Sequence, residues 1–76
     1  MDAKTFCNIM NRIRKVANAN GTVVADVQVA FALLNGEKIK TSIAEYDLHD
    51  DYVEAWSQET ECFYYIPFQN ILTISV

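Results

Sequence analysis

Leu33 to Val53 reads LLNGEKIKTSIAEYDLHDDYV. Asn35-Gly36 is a strong short hairpin signal, because a type I′ turn needs positive φ at both central positions and these residues tolerate it. Before the turn, Val23, Ala25, Val27, Val29, Phe31 and Leu33 alternate with Val24, Asp26, Gln28, Ala30, Ala32 and Leu34. That is the period-two pattern of one long strand. After the turn, Ile39, Thr41 and Ile43 share one face of a second strand, drawn from Glu37 to Asp47. Tyr46 then falls out of phase, and a bulge or sharp bend near Ala44–Glu45 restores it inward.

The same reading extends in both directions. Tyr52 to Ser57 is expected as a third strand, Ser57 to Thr60 as a polar connection, and Glu61 to Ile66 as an aromatic-rich fourth strand. Pro67 to Asn70 is a tight break, and Ile71 to Val76 is a fifth strand. Upstream, Phe6, Ile9, Met10, Ile13, Val16 and Ala17 recur at helical spacing, so residues 3–17 are expected to be helical. Asp2 is placed to cap that helix, and Asn18 to Gly21 to stop it. Five short, strongly bent antiparallel strands tend to close into a small barrel. The fold class is therefore mainly β, within a single domain over residues 1–76: a helix over 1–20, then a five-stranded barrel over 22–76. The helix caps one open end.

Charge and composition narrow the function classes. The chain has 76 residues and a net charge of −4. Residues 1–20 carry Lys4, Arg12, Arg14 and Lys15 against Asp2 alone. Beyond them, only Lys38 and Lys40 stand against all the other acids. Such an asymmetry places one basic face on an otherwise acidic body. Cys7 and Cys62 are too few for a disulfide framework and read as reduced thiols of a cytoplasmic protein. No apolar leader is read at the N-terminus, and the apolar run Val29–Leu34 is far too short to span a membrane. A domain this small gains stability by oligomerising.

On these residues the chain resembles the Sm-like superfamily, the family of LSm proteins and bacterial Hfq. Asn35-Gly36 matches the turn of the first family motif, Ile39 and Ile43 match its hydrophobic positions, and Tyr46-Asp47 matches its Phe-Asp. Asp51 stands where the family has Asn. The second motif corresponds to IPFQNILTI, with Ile66, Asn70, Ile71 and Ile74 in place. Thr41 replaces a family Gly, and Pro67-Phe68 replaces Arg-Gly. The resemblance covers Thr22 to Val76 and implies a bent Sm-like barrel assembling into a homo-oligomeric ring of roughly five to seven subunits, a repeated heterologous contact that closes on itself.

For function, the resemblance implies that the loop YDLHDDYV lines a pore and binds a uridine of single-stranded RNA. His49 would stack on the base, Asp51 would hydrogen-bond its edge, and Asp47 would orient Asp51. Pro67 or Phe68 would supply a second plate. The residues alone add a second RNA surface, the helix face with Lys4, Arg12, Arg14 and Lys15, where cations neutralise phosphates. The alternative is a protein-interaction module whose acidic body binds or inhibits a basic partner. The small acidic inhibitors of the termination factor Rho, which have a barrel of this kind, act in that way. Asp47, His49, Asp50 and Asp51 offer mixed ligands, but no second His or Cys lies near, so no metal site is expected. There is no Ser/His/Asp order, phosphate loop or paired deep carboxylate, so neither an enzyme nor a cofactor is expected.

Overall fold

The computed structural model describes residues 1–76. Helix α1 spans Ala3–Ala19. Asp2 caps it, its carboxylate accepting the Thr5 amide at 2.7 Å. Hydrogen bonds from Thr5, through its hydroxyl and then its amide, hold the Asp2 carboxyl below the ordinary carboxylate range. At the other end Gly21 takes a φ of 72°. The Thr22 amide reaches Ala17 O at 2.9 Å and the Gly21 amide reaches Asn18 O at 3.1 Å. That pair of bonds is a Schellman closure, which glycine makes without steric cost. The buried stripe is Phe6, Met10 and Ala17. It is narrower than the sequence pattern indicates, for Val16 is 55% exposed.

Six antiparallel strands follow: β1 Gln28–Leu33, β2 Lys38–Ser42, β3 Tyr46–Leu48, β4 Tyr52–Ser57, β5 Cys62–Pro67 and β6 Ile71–Ser75. They form two three-stranded sheets, β2-β1-β6 and β3-β4-β5. Three expectations are corrected. The second of the five expected strands is two strands. The chain leaves β2 through a turn at Ile43–Glu45 and enters the other sheet as β3, so the bend expected at Ala44–Glu45 is sharp enough to break the ladder. The first strand starts late, because Val24–Asp26 is a 3₁₀ turn whose Ala25 carbonyl accepts the Ser42 hydroxyl at 3.1 Å. The turn after β1 is not type I′. Only Gly36 has positive φ, at 90°. The Asn35 side chain instead accepts the Glu37 amide at 2.9 Å. The Leu33 amide closes on Glu37 O at 2.8 Å, so the loop is the three-residue form with glycine in the left-handed position.

The core lies between the sheets and under the helix. Phe6, fully buried, meets Phe31 with ring centroids 5.5 Å apart and Phe68 at 5.1 Å. Val29, Phe31, Ile39 and Ile71 come from one sheet, and Val53, Ala55 and Ile66 from the other. Burying side chains of this size contributes about 1.5–3 kcal/mol each. Thr41, Ser42 and Ser57 are buried too, and no buried side-chain N or O lacks a partner. No helix is long and apolar enough to cross a membrane.

Candidate binding surface

The loop between β3 and β4 and the break between β5 and β6 are brought together. The Phe68 amide donates to Asp51 O at 3.1 Å. The Met1 amino nitrogen donates to Phe68 O at 3.1 Å and Ile71 O at 2.9 Å, so the start of α1 closes over the break. Around this junction is an open groove of about 960 Å³, bordered by Asp50, Asp51, Tyr52, Tyr65, Pro67 and Phe68. Asp51, Pro67 and Phe68 thus share a site. Phe68 is only 4% exposed, its ring committed to Phe6, so it offers no free stacking face. Asp47 lies apart on β3, beside Glu54 of β4. The His49 ring stacks on Tyr52, centroids 4.4 Å apart and planes 11° from parallel. Its Nε2 lies 3.2 Å from Glu54 Oε1. One imidazole face is therefore already occupied. No three His, Cys, Asp and Glu side chains, those of this loop included, converge as a metal ligand set.

The basic helix face is divided. Lys4, Arg12 and Lys15 are exposed. At 100° per residue they fall within about 80° of arc, with Lys4 and Lys15 about 16 Å apart along the axis. Arg14 turns the other way. It donates to Tyr46 Oη at 3.0 Å, to Ile43 O at 3.3 Å and to Asn11 Oδ1 at 3.3 Å. Those bonds fix the helix to the turn between β2 and β3 and leave three free cations on the helix.

A surface that residue types alone do not reveal is the outer face of β3-β4-β5. Along β4, Val53, Ala55 and Ser57 are buried while Tyr52, Glu54 and Trp56 face outward. Register sets Phe63 opposite Trp56, Tyr65 opposite Glu54 and Pro67 opposite Tyr52. Trp56 and Phe63 meet edge to face at 4.9 Å, and Tyr52 and Tyr65 at 6.2 Å. Phe63 is 52% and Tyr65 64% exposed. Trp56, which by size belongs in or under a sheet, is on its outside. Beside it a notch of about 280 Å³ is bounded by Glu45, Tyr46, Asp47, Glu54, Trp56 and Phe63. From Thr41 onward the chain holds no lysine or arginine, yet holds Glu45, Asp47, Asp50, Asp51, Glu54, Glu59 and Glu61. Two cations from outside reach this side: Lys40, whose Nζ is 3.8 Å from Glu59, and the Met1 amino group, which borders the groove beside Asp50 and Asp51. The signal for this face was the period-two phase of β4 and β5, but it becomes a surface only once the four-residue connection Gln58–Glu61 fixes their register.

No family model, curated protein or solved structure matches the chain.

Proposed function

We propose that the chain is a non-enzymatic, cytoplasmic Sm-like module that binds a basic protein, masking a surface that would otherwise bind nucleic acid. The observation that carries this reading is the outer face of β3-β4-β5, where exposed Phe63 and Tyr65 are interleaved with Asp47 and Glu54 and the three strands carry no lysine or arginine. Carboxylates alternating with exposed rings present what a nucleic-acid strand presents, negative charge between aromatic faces. A cationic protein surface gains ion pairs and cation–π contacts from it. The Sm-like barrel is supported by the strand path. With β2 and β3 read as the arms of one bent strand, the strands from β1 to β5 each neighbour the next in sequence, and β6 returns beside β1.

The test is direct binding. Fluorescence anisotropy at low salt should show an arginine-rich peptide binding. Asp47→Lys with Glu54→Lys should abolish the peptide signal. Peptide binding that survives this double reversal, or its absence in the wild type, rejects the reading.

Two further proposals rest on separate observations. Lys4, Arg12 and Lys15 on one exposed helix face favour binding of single-stranded RNA there. Reversing Arg12 and Lys15 to Glu should then abolish RNA binding, while His49→Ala should cost only one stacking contact of about 1–3 kcal/mol. β5 and β6 each pair on one side only and carry no lysine, which favours a homo-oligomeric ring through their free edges. Edge pairing runs in the sheet plane and leaves the outer face open. Light scattering that returns the monomer mass at micromolar concentration counts against the ring.

A further inference from the structure

We infer that the β3-β4-β5 outer face takes an extended, arginine-bearing segment of a basic protein, with two arginines four residues apart. This rests on the basic-partner reading and adds to it the side chain, the backbone form and the spacing.

The face has two aromatic and acidic notches in line along β4. The first is the edge-to-face pair of Trp56 and Phe63, with Glu45, Asp47 and Glu54 at its border. The second is the pair of Tyr52 and Tyr65, with Asp50 and Asp51 at its border. A planar guanidinium stacks on an aromatic face and forks onto a carboxylate at once, whereas an ammonium is a compact, strongly hydrated point charge. Each notch offers both a ring and a carboxylate, so each favours arginine over lysine.

Geometry sets the spacing. The β4 rings of the two pairs, Tyr52 and Trp56, are four residues apart, and their β5 partners, Tyr65 and Phe63, are two apart. At about 3.3 Å per residue the β4 rings are roughly 13 Å apart, and it is these that set the spacing. In an extended ligand, side chains alternate between faces, so only an even spacing turns both arginines to the sheet. Four residues is the even spacing that covers the distance. Glu54 lies between Tyr52 and Trp56 on β4 and opposite Tyr65, its carboxylate 3.2 Å from His49 Nε2.

Charge complementarity also argues against a second copy as the occupant. The cations another copy could present in a row are Lys4, Arg12 and Lys15 on a helix and Lys38 and Lys40, two residues apart, on β2; only one of the five is an arginine, and the whole chain carries −4.

The experiment uses Trp56, the only tryptophan, as the reporter. Its emission is titrated at low salt with peptides of identical composition whose two arginines are three, four or five residues apart. The four-residue peptide should bind about tenfold tighter than either isomer. Its lysine version should bind several-fold weaker. Anisotropy of the labelled peptide should show Tyr65→Ala and Trp56→Ala each reducing the four-residue peptide to the level of the isomers. Glu54→Gln, isosteric and able to keep a bond to His49, should weaken it with the far-UV spectrum unchanged. Equal affinity for all three isomers, or no loss in Tyr65→Ala and Glu54→Gln, overturns the inference while leaving a purely electrostatic basic-partner reading standing. If even a run of arginines fails to bind, that reading fails with it. If the peptides act only by dissociating a salt-sensitive self-assembly, the occupant is a second copy and the inference is again overturned.

Discussion

The outer face of the β2-β1-β6 sheet carries Lys38 and Lys40 from β2, Ala30 and Ala32 from β1, and Thr73 and Ser75 from β6. That of β3-β4-β5 carries Asp47, Tyr52, Glu54, Trp56, Phe63 and Tyr65. The inner faces are alike, Val29, Phe31 and Ile39 in one and Val53, Ala55 and Ile66 in the other, all buried. Folding makes the same demand on both sheets, an apolar inner face. The first sheet shows how little the outer face needs: apart from Leu72, exposed near the start of β6, small or charged residues suffice, and no ring is exposed. The rings outside the second sheet exceed that requirement, and contiguous exposed rings rimmed by charge mark a binding surface. The comparison therefore separates residues kept for the fold from residues kept for a partner.

The largest effects should fall on the inner faces, and should fall equally on both sheets. Phe31→Ala should cost about 3–5 kcal/mol and Ile66→Ala about 2–5 kcal/mol. Total stability for a domain of this length is about 4–11 kcal/mol. Urea midpoints should drop to where the native state barely persists in either variant. If one sheet tolerates the loss and the other does not, the two do not share a single core.

Next is the joint between them. Arg14 holds the turn through which the chain passes from β2 to β3, bonding Ile43 O and Tyr46 Oη. Arg14→Ala leaves these acceptors unpaired in a part-buried place and should cost about 1–3 kcal/mol. Lys15→Ala, one residue on and fully solvated, should change stability by less than about 0.5 kcal/mol. Equal effects in thermal melts would mean that Arg14 is as free as its neighbour.

Smaller still is the stability effect of the outer rings. Phe63→Ser and Tyr65→Ser should each move stability by no more than about 1 kcal/mol, as surface changes do. Both should weaken binding of a basic peptide about tenfold. Thr73→Ala on the other sheet should alter neither. A large loss of stability with Phe63→Ser would make that ring part of the fold and remove the contrast on which the binding surface rests.

How much of this was legible follows from which signals are local. The helix, its Asp2 cap and the Gly21 stop need only residues within a turn or two of each other, and they read directly from the sequence. So do the positions of β4 and β6. The division of the second strand was half legible. The phase slip at Tyr46 marks a bend, but whether the ladder survives it depends on Ser42 and Arg14 reaching groups distant in sequence. Val23 to Val27 alternates like a strand, yet only its last residue makes a backbone-to-backbone bond across, Val27 O accepting the amide of Ile43, just past the end of β2, at 3.1 Å. The site was less legible than the fold. His49 and the aspartates drew attention as rare or charged types, while Trp56 was expected in or under the sheet, because a large ring is most often core. Which face of β4 points outward is a property of both sheets together, and no single strand states it.

The smallest effect tests the one ion pair that joins the sheets at their surfaces. Lys40 is on the outer face of β2, and Glu59 is in the connection between β4 and β5. Their charged atoms are 3.8 Å apart, with side chains 58% and 64% exposed. In water at that distance the attraction is weak, and holding two flexible side chains in place costs entropy. A double-mutant cycle with Lys40→Ala and Glu59→Ala should return a coupling of about 0.2–1 kcal/mol. It should shrink as salt rises, because exposed charges are screened within about 8 Å at physiological ionic strength. A coupling well above that range, and insensitive to salt, would mean that the outer faces help to hold the sheets together. The face of β3-β4-β5 could then no longer be treated as surplus to the fold, and its rings and carboxylates would need a structural account before a partner is invoked.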